Sequence, residues 1–92
     1  MKSVVERTVE ECEERLKSYP NDLPTRERLA EALVAMKKPA QAADLYVSTA
    51  EAWEKAGRAP MAASLYHKAL KLAPERTELV EKIQKLVPPK KR

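Results

Sequence analysis

Apolar residues recur along this chain at alternating steps of three and four, and prolines with a single glycine cut the recurrence into five stretches. Val5, Val9, Cys12, Leu16 and Tyr19 form the first stripe, which predicts a helix over residues 4–18 with one buried face. Ser3 and Glu6 stand at its start as an S-x-x-E capping box, and Pro20-Asn21-Asp22 ends it. A second helix is predicted over 24–37, capped by Asp22, with Leu29, Ala32, Leu33 and Met36 on its buried face. Lys37 and Lys38 suit the negative end of its dipole, and Pro39 opens the next segment. A third helix spans about 40–56, with Ala42, Tyr46, Thr49, Ala50 and Trp53 on one face and Ala43 and Val47 widening it. Gly57 is the expected left-handed residue that closes it. Pro60 fits the first turn of a fourth helix, 60–73, whose inner positions are Ala62, Leu65, Tyr66, Ala69 and Leu72. Pro74 separates it from a fifth, 75–87, striped by Leu79, Val80, Ile83, Leu86 and Val87. Connections this short make successive helices antiparallel, so the pattern predicts an all-α, antiparallel stack of about five helices in one domain.

A second pattern lies over the first. "AADLY" at 42–46 returns as "AASLY" at 62–66, and "LAEAL" at 29–33 returns as "TAEAW" at 49–53, each twenty residues on. Aligning 29–46 with 49–66 pairs Ala30 with Ala50, Glu31 with Glu51, Ala32 with Ala52, Ala42 with Ala62, Ala43 with Ala63, Leu45 with Leu65 and Tyr46 with Tyr66. A fixed period of this kind marks a repeat architecture. The alanine pairs let helix backbones approach closely, and Tyr46, Trp53 and Tyr66 fill the wider gaps.

In residues 43–76 these positions fall in an order that resembles the tetratricopeptide repeat, a helix–turn–helix unit. Tyr46 takes the first large position, Ala50 the small one and Trp53 the aromatic one; Gly57 falls in the turn; Ala62, Tyr66 and Ala69 follow; Pro74 closes the unit. Thr49 stands where the family usually has Leu. A weaker, overlapping frame covers 23–56, with Leu29, Ala30, Leu33, Ala42 and Tyr46 in register. The helix of 40–56 is then the second helix of one unit and the first of the next, which gives the twenty-residue period. The resemblance implies an α–α superhelix whose groove holds a peptide or helix of a partner protein. Carried over by position, it implies partner-binding roles for Arg28, Glu31, Val34 and Ala35, for Val47, Glu51, Glu54 and Lys55, and for Lys82 and Lys85. The first helix matches poorly and is expected to be a cap.

Composition narrows the chemistry. One glycine cannot build a phosphate loop, and Cys12 and His67 lie far apart with no metal-ligand spacing, so neither enzyme activity nor a cofactor is expected. A single Cys12 cannot form an internal disulfide, which fits a reducing cytoplasm, and it reads as a buried small residue. The N-terminus lacks a secretory apolar core, and no run is long enough to span a membrane. Net charge is +4, but the balance runs from −2 over residues 1–36 through +1 over 37–66 to +5 over 67–92. Nucleic-acid binding through Lys68, Lys71, Arg76, Lys82, Lys85, Lys90, Lys91 and Arg92 is the third-ranked reading, since Glu75, Glu78 and Glu81 interrupt the field. The first is a non-catalytic adaptor that binds another protein. The second is a homo-oligomer formed through the apolar stripes of the two edge helices.

Overall fold

Each helix of the computed structural model, which describes residues 1–87, starts and stops for a local reason. α1 (Val4–Ser18) opens on the complete capping box: the Ser3 hydroxyl accepts the Glu6 N–H at 3.1 Å, and the Glu6 carboxylate accepts the Ser3 N–H at 2.9 Å. α2 (Leu23–Ala35) is capped by Asp22, which accepts the Thr25 N–H at 3.4 Å and the Arg15 Nε–H at 2.5 Å. α3 (Pro39–Lys55) and α4 (Ala59–Leu72) each take a proline into the first turn, where its missing N–H costs nothing. α5 is Glu78–Leu86.

The helices end in one of two ways. Tyr19, Ala73 and Val87 precede prolines, and all three leave helical geometry in the same way, with φ near −130° and ψ of 73–82°. α2 and α3 instead end in matching Schellman turns. Lys37 and Gly57 are left-handed, at φ 62° and 79°, and the next residue's N–H reaches back to Leu33 and Trp53 respectively, at 2.9 Å in both. The glycine was expected there and the lysine was not. The twenty-residue period thus extends to backbone conformation, even where the side chain opposes it.

The fifth helix starts three residues later than the apolar pattern predicts. Pro74 and Glu75 form a turn, and the Arg76 guanidinium leaves the helix line to donate to Asp44 on α3 at 2.8 Å. The predicted stripe is also narrower than expected. Leu79, Ile83 and Leu86 face α4, while Val80 and Val87 remain 39% and 53% exposed.

Every helix packs on its neighbours in sequence and on no other helix among the described residues, which draws the chain into a row measuring 56 × 27 × 19 Å. Ala30, Ala42, Ala43, Ala50, Ala62 and Ala69 are fully buried at the crossings, where a methyl group lets the backbones close up. Tyr46, Leu65, Tyr66 and Leu79 fill the space beside them in the larger cluster. Cys12, Leu29, Leu33 and Ala42 form the smaller one, and Leu45 and Leu72 touch both. Thr49 is wholly buried, and its hydroxyl donates to the Leu45 carbonyl at 2.7 Å, so it leaves no polar atom unpaired.

Both edge stripes proposed for self-association are already occupied. Val9, Cys12 and Leu16 lie against α2, and Leu79, Ile83 and Leu86 against α4. Tyr19, expected in the first stripe, is 59% exposed and lies under the Arg15 guanidinium, 5.0 Å from the ring centroid. The outer face of α1 carries Glu6, Glu10, Glu13 and Glu14, so this end of the row is closed by a polar surface.

Candidate partner-binding surface

Two buried tyrosines carry the polar chemistry to the surface. Tyr66 of α4 is fully buried, and a buried phenol needs a partner for its O–H. It donates to Glu54 of α3 at 2.6 Å, while the Lys82 ammonium of α5 lies 5.4 Å from the ring centroid. Burial, followed by the hydrogen bond to Glu54 and the charges of Glu54 and Glu51, pushes the phenol far above its ordinary range. The hydroxyl therefore stays protonated and keeps donating. Tyr46 repeats the arrangement one helix earlier. Lys68 of α4 lies 5.8 Å from its ring centroid, and burial with the charges of Glu31 and Glu27 on α2 raises its phenol too. Each tyrosine is thus flanked by glutamates of the preceding helix and covered by a lysine of the following one.

This arrangement gathers part of the predicted groove and disperses the rest. Glu51, Glu54 and Lys55 line one open cleft of about 460 Å³ on α3, and Lys82 joins them through Tyr66. Glu31 stands near Tyr46. Arg28 turns away toward α1, into a separate cleft of about 390 Å³ with Thr8, Glu11, Cys12, Arg15 and Thr25. Val34 and Ala35 are exposed in the last turn of α2, and Lys85 is exposed on α5. Val47 is half-buried against the core, so it is a packing residue first.

Sequence reasoning missed Glu27, and it placed Lys68 only among the basic residues of the nucleic-acid reading. Glu27 accepts the Trp53 indole N–H at 3.3 Å, and Lys68 covers Tyr46. The available signal was the buried aromatic itself, since both Trp and Tyr seek a polar partner when enclosed.

Other chemistry is local. Cys12 is 4% exposed, and burial pushes its thiol up, which keeps it in the less reactive protonated form. Among the described residues no group of three or more His, Cys, Asp or Glu could hold a metal ion, and no helix is long and apolar enough to cross a membrane. Three of the C-terminal cations have internal roles: Lys68 and Lys82 lie on tyrosine rings, and Arg76 pairs with Asp44 and Glu78. Lys90, Lys91 and Arg92 lie outside the described residues. No family model matches this chain, and no match to it was found among curated proteins.

Proposed function

We propose that the chain is a non-catalytic, tetratricopeptide-like interaction module that captures a peptide or helical segment of another protein, in a reducing compartment such as the cytoplasm. The observation that carries this reading is the Glu54–Tyr66–Lys82 assembly beside Glu51 and Lys55. A carboxylate and an ammonium are held in place by a rigid buried ring, so a partner meets charges that are already oriented. Pre-orientation reduces the entropy lost on binding. Charges of both signs lie within one cleft, which favours a partner segment with its own alternating charge over a uniformly acidic or basic one.

The test is affinity capture with the Glu51→Lys, Glu54→Lys and Lys82→Glu variant against the unchanged chain. Partner capture should fall at least tenfold, with helicity retained by circular dichroism. Reversing Glu51 and Lys55 alone leaves the Tyr66 hydrogen bond intact and should still weaken capture. Unchanged capture by both variants would sink the proposal.

A further inference from the structure

The twenty-residue period assigns equivalent positions on successive helices, and one of them is half-buried twice and then exposed. Glu27 on α2, Val47 on α3 and His67 on α4 are equivalent in register. Glu27 is half-buried: it holds the Trp53 indole and shares a narrow cleft with Met61, Ser64 and Lys68 of α4. Val47 is half-buried in the cluster that also holds Leu79, Ile83 and Leu86 of α5, and Asp44, one turn before it, takes the guanidinium of Arg76. Only the middle of this row is half-buried on α2 and α3, because Pro24, Glu31, Asp44 and Glu51, one turn to either side, are exposed. His67 is exposed, and so are Ser64 and Lys71 on the same row of α4.

That row borders a groove of about 450 Å³ between α4 and α5. Ala63, Ile83 and Val87 supply apolar surface, and His67, Lys68 and Lys71 form its α4 wall. No carboxylate lines it among the described residues. From Pro60 to Lys71 the groove follows α4 for ~16 Å, the length of about three helical turns. The volume admits a few aliphatic side chains, and the cationic wall selects the sign of what flanks them.

The geometry points to this groove as a second docking surface, one that accepts an amphipathic helix of a partner protein with an aliphatic seam and acidic flanks. The proposal is independent of the Glu51–Lys55 cleft. A second copy of this chain is a poorer occupant, because the acidic outer face of α1 has no aliphatic seam: Val9, Cys12 and Leu16 are turned onto α2.

The test uses a synthetic, end-capped, fluorescently labelled peptide of about three helical turns, with leucines on one face, glutamates flanking them and alanines elsewhere. Its partner peptide carries lysine in place of every glutamate. Anisotropy should show saturable binding of the acidic peptide and none of the basic one. Lys71→Glu and Val87→Ser, both at exposed positions, should each weaken it at least fivefold, and raising salt should weaken it further. The Glu51→Lys/Lys55→Glu variant should bind the acidic peptide unchanged, so this surface and the one proposed above fail separately. Three results would each overturn the proposal: no binding of the acidic peptide at about 1 mM, equal binding of both peptides, or an unaltered Kd in Lys71→Glu. Self-association abolished by Lys71→Glu would overturn it too, by assigning the groove to a second copy.

Discussion

Exchanging residues between the two left-handed positions should move stability in opposite directions. Lys37 and Gly57 occupy equivalent Schellman turns, but only glycine adopts positive φ without steric cost. A non-glycine residue there loses ~1–2 kcal/mol to contact between Cβ and the carbonyl oxygen. Glycine gives back ~0.4–1 kcal/mol of that through the greater freedom of the unfolded chain. The difference leaves Lys37→Gly stabilising by about 0.5–1 kcal/mol and Gly57→Ala destabilising by about the same. The Gly57 figure is free of packing terms, because a Cβ built there meets no atom within 4 Å. Dipole effects are small here: Lys37 lies beyond the last turn, and removing its cation costs a few tenths of a kcal/mol at most, about the lower end of such interactions. At about 4–8 °C per kcal/mol for a domain of this size, the two variants should melt several degrees either side of the parent. Urea unfolding followed by circular dichroism measures both, and the double variant should return close to the starting value. A destabilised Lys37→Gly, or two shifts of the same sign, would refute the equivalence of the two turns.

Tyr66→Phe keeps the ring and removes the O–H donated to Glu54, whose exposed carboxylate can turn to water. Urea unfolding should show a loss of about 1 kcal/mol, and a loss as large as that of a core truncation would mean the hydroxyl has a second role. Ala50→Leu adds bulk where a fully buried methyl sits between helices, so it should cost ~1–3 kcal/mol, while the same change at exposed Ala40 should be nearly neutral. Asp22 has its pKa lowered first by the hydrogen bond from Arg15 and then by the Thr25 side chain. The stability this supplies is complete above the ordinary carboxylate range and is lost as pH falls through the depressed value. Asp22→Asn should therefore flatten the acid limb of a pH–stability curve; an unchanged limb would show that the pairing contributes nothing.

Much of this fold was legible because its causes are local. The Ser3–Glu6 box, the Asp22 cap and the residues before Pro20 and Pro74 depend on neighbours within a few positions. The period also placed Tyr46 and Tyr66 correctly in the core, since alanine pairs leave a gap that only a large residue fills. What stayed hidden depends on distant partners. α5 begins late, after a turn whose Arg76 reaches Asp44, thirty-two residues back along the chain. Lys37 is left-handed because the turn to α3 requires it, although nothing in its side chain indicates so. The groove residues divided for a similar reason: Arg28 follows α1, and Val47 follows the core. Only where two helices converge on one ring, as Glu54 and Lys82 do on Tyr66, does the surface chemistry come together.

The central claim is that this converging surface receives the partner. Amide chemical-shift mapping of the labelled chain, titrated with a partner segment recovered by affinity capture, addresses it directly. The account predicts that the largest shifts fall on Glu51, Glu54, Lys55 and Lys82, with Tyr66 moving beside them. Shifts confined to α1, with those residues unmoved at saturation, would contradict it.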